Sequence, residues 1–303
     1  LGGPATATFA GRTYVARDGI LVTPALELAV VDSDAQGIVD ATATTGPVMI
    51  QFTPHAAFAD LEALYPLLAG EPGTPLFGVD DAPLVLVAAN GVRLTFAAAA
   101  VVQMPDLLLG ARGPVAGSVT FLAIGARALP VTAANRLVTI DTTSAPTFPV
   151  PAPQLSDDYV ITWGGAPWTN LRARDGVRVS FAVKTRPVLS AAVALLDLTL
   201  ESLSVTARFA PATPGGPGAA DLFAALQVQG APPGWLLSQE AQPLLIAGQH
   251  LWLELPLAQV SAGDLRFDAT HRGVGELVFT ATRARLGAEA AAENLALVGE
   301  GAV

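Results

Sequence analysis

Apolar and polar residues along this chain fall into short runs broken by turn residues. Gly19 to Val31 and Pro47 to Thr53 are rich in Val, Ile, Leu and Thr with partial alternation, the pattern of strands buried on one face. Between them, Asp32-Ser33-Asp34-Ala35-Gln36-Gly37 supplies Asx side chains and a glycine able to take positive φ. The pair predicts a long hairpin with a projecting tip. Pro83 to Ala88, Val92 to Ala97 and Gly117 to Ile124 predict three more strands, and Asn90-Gly91 predicts a type I′ turn between the first two. One stretch follows helical period instead. Phe58, Leu61, Leu64, Tyr65 and Leu68 form an apolar stripe, which Pro66 ends or kinks near its last turn.

The same order of signals then recurs. Ala16-Arg17-Asp18-Gly19 returns as Ala173-Arg174-Asp175-Gly176, an offset of 157 that also carries Asp40 onto Asp197, Phe52 onto Phe209 and Pro54 onto Pro211. Ala59-Asp60-Leu61 matches Ala220-Asp221-Leu222, Pro83-Leu84 matches Pro243-Leu244, Val119-Thr120-Phe121 matches Leu277-Val278-Phe279, and Arg127 matches Arg285. Order is kept while the offset drifts only between 157 and 161, which marks an internal duplication. In the second copy, strands are expected over Val177 to Val183, Ser202 to Phe209, Pro243 to Ala247, Leu251 to Leu255 and Gly275 to Thr282. Ser190 to Asp197 forms a connector, and a short helix follows Pro217-Gly218 over Ala219 to Leu226. Glu289 to Leu297 suggests a short terminal helix. Four prolines within Ala145 to Pro153 predict an extended, semi-rigid spacer. The expected organisation is a first domain over 1–144, a proline-rich linker over 145–155 and a second domain over 156–303. With about six strands and one helix per copy, the fold class is mainly β: two tandem β-sandwich or small barrel domains, each with one short flanking α-helix.

Composition narrows the function classes. Apolar residues make up 51% of the 303 and charged residues only 14%, more apolar material than a solitary monomer needs; obligate subunit interfaces would use the excess. No apolar run reaches the ~18 uninterrupted residues of a spanning helix, the longest candidate, Leu84 to Val102, being broken by Asn90 and Arg93. The start, Leu1-Gly2-Gly3-Pro4, lacks the basic-then-apolar order of a secretory signal, so a soluble protein made in the cytoplasm is expected. Without cysteine there are no disulfides, thiolate metal sites or cysteine nucleophiles. Net charge is −10, divided as −5 over residues 1–140 and −5 over the rest, and Lys184 is the single lysine. No basic cluster exists to grip a phosphate backbone.

Candidate chemistry is sparse. His55, His250 and His271 have no partners at metal-ligand spacing beyond a loose His271 and Glu276 pair, and they read as ordinary loop or strand histidines. No Gly-x-Ser-x-Gly marks a nucleophile. Gly215-Gly216-Pro217-Gly218 before a helix hints at a phosphate cradle, yet it lacks the Lys-Ser/Thr of a P-loop, and Pro217 removes an amide. Asp18-Gly19 and Asp175-Gly176 read as turn chemistry at strand starts. Trp163 and Trp168 suit packing at a domain junction better than a sugar platform. The expectation is therefore a protein with no enzymatic activity, no catalytic, cofactor-binding or metal-binding residues and no cofactor.

Phe52-Thr53-Pro54, Leu64-Tyr65-Pro66, Leu76-Phe77-Gly78, Pro83-Leu84-Val85 and Met104-Pro105-Asp106-Leu107 together resemble the major tail tube proteins of long-tailed (siphophage-type) bacteriophages, in the form where one chain carries two tube domains. The second copy resembles them through Tyr159 to Trp168, Phe209-Ala210-Pro211 and Gly275-Glu276-Leu277-Val278-Phe279, and departs by losing the Tyr-Pro and Phe-Gly signatures. The resemblance implies a homotrimer forming a pseudo-hexameric ring, with rings stacked into a conduit for DNA ejection. The implied partners are other copies of the chain, a tape measure inside the lumen, a terminator and a distal tail protein. DNA passes without specific binding, and no membrane is involved. The implied location is the virion tail, assembled in the host cytoplasm. The Leu26 to Phe52 hairpin would meet a neighbouring ring by strand addition. A tail-end or baseplate ring protein of the same fold is the alternative. A carbohydrate-binding β-sandwich using Trp163, Trp168, Trp235 and Trp252 is a more distant one.

Overall fold

A computed structural model describes residues 3–33, 37–55, 61–78, 81–110, 113–125, 136–148, 159–190, 194–212, 217–226, 241–249, 251–267, 272–281 and 296–300. The chain is mainly β. Strands β1 (Ala5–Phe9) and β2 (Arg12–Ala16) turn over Ala10 and Gly11, both at positive φ. Strands β3 (Leu21–Ser33) and β4 (Gly37–Phe52) form the expected long hairpin, paired up to Ser33 opposite Gly37; residues 34–36 of the anticipated turn lie outside the described residues. Its second strand begins ten residues earlier than the Pro47 start, because Ile38, Val39 and the following threonines continue the β-branched run. Then come β5 (Ala82–Ala88), β6 (Val92–Gln103), β7 (Leu107–Gly110), β8 (Gly113–Ala116), β9 (Val119–Ala123) and β10 (Val138–Thr142).

The β5–β6 turn differs from the expected type I′. Only Gly91 takes positive φ, at 81°, while the Gly91 amide donates to Ala88 O at 2.9 Å and the Asn90 side chain accepts from the Val92 amide. Closing the turn over Ala89 and Asn90 leaves the left-handed position to Gly91, the arrangement of a longer loop with a glycine bulge. The predicted helix is also modified. Residues 56–60, including Phe58, lie outside the described residues. From Glu62 the chain makes two 3₁₀ turns, Glu62–Leu64 and Pro66–Ala69, parted at Tyr65. Pro66 cannot supply an amide to an α-helical ladder, so the stripe tightens and restarts there. Its apolar face is still buried through Leu61, Leu64, Tyr65, Leu67 and Leu68.

The second half contributes β11 (Val160–Trp163), β12 (Leu171–Arg172), β13 (Val177–Ser190), β14 (Ala194–Phe209), helix α1 (Ala219–Ala225), β15 (Gln242–Ala247), β16 (Leu251–Phe267), β17 (Arg272–Ala281) and β18 (Leu297–Glu300). Helix α1 matches the expected one to within a residue. Strands β13 and β14 extend through most of the segment read as a connector. Leu297 opens a strand, and residues 282–295, which carry most of the suggested terminal helix, are outside the described residues.

One sheet runs β2-β1-β5-β6-β9-β4-β3, with β10 on β6; the other runs β12-β11-β15-β16-β17-β14-β13-β7-β8, with β18 on β16. Over the first seven strands the two orders coincide, and the second sheet then continues into β7 and β8. The agreement extends to details. A register shift at Val101/Gln103 recurs at Val260/Ala262. Gly19 and Gly176 both sit at φ 89°. Phe52 stacks on Phe121 at 5.8 Å and 8°, and Phe209 stacks on Phe279 at 5.7 Å and 2°.

Each sheet curls until its first strand reaches the chain just beyond β4 or β14. In the first, Val15 on β2 bridges His55 just after β4, through amides at 2.8 and 3.3 Å, and Phe9, Phe52 and Phe121 fill the interior. In the second, the Ala212 amide donates to Arg172 O at 2.7 Å, and Trp163, Trp168 and Phe209 surround Phe279. Curling satisfies edge amides and encloses the aromatic rings together.

The compact units take segments from both sides of the sequence division at 145–155. One comprises residues 1–105, 118–151 and 183–202; the other comprises 106–117, 152–182 and 203–303. In the first unit, the Gly73, Leu76 and Phe77 amides donate to Leu200 O, Leu198 O and Asp197 Oδ1 at 2.7, 2.8 and 3.0 Å. In the second, β7 pairs with β13 and β8 with β7.

If these rings are the anchors of their sheets, Phe121→Ala and Phe279→Ala should each lower unfolding free energy by about 3–5 kcal/mol. Urea denaturation measures it. A loss under ~1 kcal/mol would show that the aromatic stack is not central.

Candidate functional site

Among the described residues, the sequence candidates His55, Asp18, Asp175 and Gly218 lie apart from one another. His55 is half-buried and its backbone closes the first sheet. Burial, and secondarily the Arg17 charge, hold its imidazole below the ordinary histidine range, which favours the neutral ring. His250 and His271 lie outside the described residues. Asp18 and Asp175 are exposed turn residues ahead of Gly19 and Gly176, as the turn reading requires. Gly215 and Gly216 are outside the described residues. Gly218 is the N-cap of α1, and its amide donates to Asp221 Oδ2 at 2.8 Å. A carboxylate of the chain thus sits where an anion would be cradled. Among the described residues no group of three His, Asp or Glu is placed to hold a metal ion, and no helix is long and apolar enough to cross a membrane.

Trp163 and Trp168 are 6% and 7% exposed, edge to face at 5.2 Å, and the Trp163 indole donates to Ala258 O at 2.8 Å. Their faces are spent on the core of the second unit. Trp252 borders an open depression with Thr162, Leu245 and Glu254, and Trp235 lies outside the described residues. A second depression, of ≈ 480 Å³, is lined by Pro47, Val102, Leu122, Leu189, Leu195 and others, almost all apolar. It offers few polar groups to orient a small ligand.

What the chain does present is strand edge. On the second sheet the edge of β13 is covered: Val177, Arg178 and Val179 stand opposite Leu109, Leu108 and Leu107 of β7. Val177, Val179, Leu107 and Leu109 are wholly buried there. Asp106, at the base of the β7–β8 hairpin, accepts from Ser180 Oγ at 3.0 Å and from the Phe181 amide at 3.4 Å. Gly176 makes the close approach possible, since a Cβ there would lie 2.7 Å from Leu109 O. On the first sheet, β3 ends the order and is hydrogen-bonded to β4 alone among the described residues. Leu21 is 61% exposed on it, and Thr23, Pro24 and Ala25 are exposed. No lysine guards this edge; Pro24 alone withdraws an amide.

Sequence reasoning placed strand addition on the hairpin from Leu26 to Phe52 but did not single out the Leu21 to Ala25 edge ahead of it, or Asp106, as a site. The available signal was the offset of 158 that carries Asp106 onto Asp264 and Gly117 onto Gly275. It also missed the pair in which the Arg93 guanidinium donates to both Asp141 oxygens at 2.6 Å, joining β6 to β10. That hydrogen bond, more than the charge, holds the Asp141 carboxyl below its ordinary value.

Comparison with protein-family models finds none that matches this chain, and none of the curated proteins matches it.

Three measurements test this geometry. Gly176→Ala should destabilise the second unit by about 1–3 kcal/mol, combining a strained φ with the clash on β7; an unchanged urea midpoint would contradict the close approach. Both titrations share a sign, because each folded-state pKa is lowered. Stability from His55 is complete above its unfolded value near 6.5 and falls as pH drops below it, while that from Asp141 is lost only below about pH 4. Urea midpoints followed against pH should flatten in the upper window for His55→Gln and in the lower for Asp141→Asn.

Proposed function

We propose that this chain is a ring-forming structural subunit of a virion, the tail tube protein of a long-tailed bacteriophage. The observation that carries the reading is the pair of equally ordered, curled sheets within one chain, each with a long hairpin, β3–β4 or β13–β14. Three chains carry six such sheets, enough for a pseudo-sixfold ring. The resemblance of Phe52-Thr53-Pro54, Leu64-Tyr65-Pro66 and Met104-Pro105-Asp106-Leu107 to tail tube motifs supports it. So do the apolar excess, which suits obligate interfaces, and the net charge of −10, which suits a lumen that DNA slides through without sticking. In this reading the rings stack into a conduit around a tape measure and meet a terminator and a distal tail protein at the ends. The chain acts without enzymatic chemistry or cofactor. It is assembled in the host cytoplasm and resides in the virion.

Negative-stain electron microscopy of concentrated purified protein should show rings or tubes of uniform diameter. A monodisperse monomer at high concentration and physiological salt would overturn the reading. Copy number per particle separates a tube subunit, present in many rings, from a tail-end or baseplate ring protein, present in one.

A further inference from the structure

The chain makes one strand-edge contact internally and carries the components for a second that it does not complete. The donor of the first is the β7–β8 hairpin, with Leu107 opposite Ala116, Leu108 opposite Val115 and Leu109 opposite Pro114. At the 158-residue offset this becomes the far end of β16–β17, where Leu265 faces Val274, Arg266 faces Gly273 and Phe267 faces Arg272. The register is identical. Asp106 and Gly117 at the base of the first hairpin correspond to Asp264 and Gly275 at the base of the second, and the β16–β17 register shifts at Asp264. Among the described residues no third strand pairs with β16 or β17 beyond Asp264.

The acceptor repeats as well. Val177, Arg178 and Val179 of β13 correspond, at the 157-residue offset, to Ile20, Leu21 and Val22 at the head of β3. Ser180, whose hydroxyl Asp106 holds, corresponds to Thr23, again a hydroxyl. Burial records what is missing. Val179 and Leu107 are fully buried where the contact is made, whereas Val22 and Leu265 are only half-buried and Leu21 is exposed; Ile20, like its counterpart Val177, is already buried within the chain. At Gly176 the end of β7 fills the space beside the backbone. At its counterpart Gly19 there is an open depression of ≈ 510 Å³ lined by Asp18, Ile20, Leu21, Phe52 and Thr53 among others.

We infer that the Leu265–Phe267 end of β16, paired with Arg272–Val274 of β17, in one chain adds to the β3 edge of a second copy, repeating between chains the β7–β13 pairing that each chain makes within itself. Phe267 then stands opposite Ile20, Arg266 opposite Leu21 and Leu265 opposite Val22. The contact is head to tail, with one donor and one acceptor per chain, so it propagates until a ring closes. The second copy as partner rests on the ring-forming reading above; the register rests on the repeat alone. The aspartate contacts are not carried over, because Pro24 replaces Phe181 and has no amide to offer, and Asp264 already accepts from the Glu276 amide within its own chain, so the pairing rests on the strand backbones.

The absence of cysteine makes the test direct. Single variants Leu21→Cys and Arg266→Cys, mixed and air-oxidised, should give a covalent dimer on a non-reducing gel that neither variant gives alone. Leu21 is exposed, so its replacement leaves the core intact. The double variant Leu108→Cys/Arg178→Cys should close a disulfide within one chain, which calibrates the geometry; failure to close would overturn the template itself. If that internal pair closes and sedimentation shows assembled rings, yet the mixed variants do not cross-link, the inferred interface is wrong and the ring-forming reading stands. A chain that stays monomeric at all concentrations with no cross-link overturns both.

Discussion

A β-sheet has to dispose of its two edges, and this requirement organises the molecule. Each unpaired edge amide or carbonyl is a hydrogen bond owed to something, and a long open edge invites another strand. Both sheets settle one side by curling until β2 or β12 reaches the chain just beyond β4 or β14. The other side is settled differently in the two halves. In the second sheet β13 is capped by the β7–β8 hairpin; in the first, β3 is the terminal strand.

The aromatic cores follow from the same curling. A curled sheet brings strands distant in its order into contact: Phe9 of β1 meets Phe121 of β9 at 4.8 Å, and Trp163 of β11 meets Phe279 of β17 at 5.4 Å, while Phe52 and Phe209 stack on the same rings from the neighbouring strand. Large rings span the interior of a small rolled sheet with few side chains. The second core exchanges part of this aliphatic and phenyl packing for Trp163 and Trp168, and anchors the first indole through the Ala258 carbonyl. The same residues that made a sugar platform conceivable are therefore consumed in holding the sheet closed. Among the described residues, what remains exposed includes the β3 edge and apolar surface, which the proposed assembly role would use.

Much of this was legible in the residues. The Ala-Arg-Asp-Gly repeat and the recurrence of Phe52 and Phe121 as Phe209 and Phe279 mark structurally equivalent positions, because stacking partners and a left-handed glycine are constraints that keep their spacing. The β3–β4 hairpin was legible because two β-branched runs flank a local cluster of Asx and glycine residues. Three things were not. The start of β4 was obscured because its alternation weakens through alanine and threonine. The 3₁₀ turns around Pro66 carry the same apolar stripe as an α-helix, so periodicity cannot separate them. The β7–β8 hairpin looks like a short apolar run, and only tertiary pairing with β13, some seventy residues on in sequence, gives it a role. The candidate site was hidden for that reason: an edge is defined by what does not pair with it, and no local pattern encodes that.

Hydrogen–deuterium exchange, read peptide by peptide at low and high protein concentration, tests this account most directly. The segment around Val177 to Val179 should be protected at every concentration, since its partner is in the same chain, while that around Leu21 to Thr23 should exchange quickly in dilute solution and become protected as the protein assembles. Protection at β3 that does not change with assembly would contradict the account.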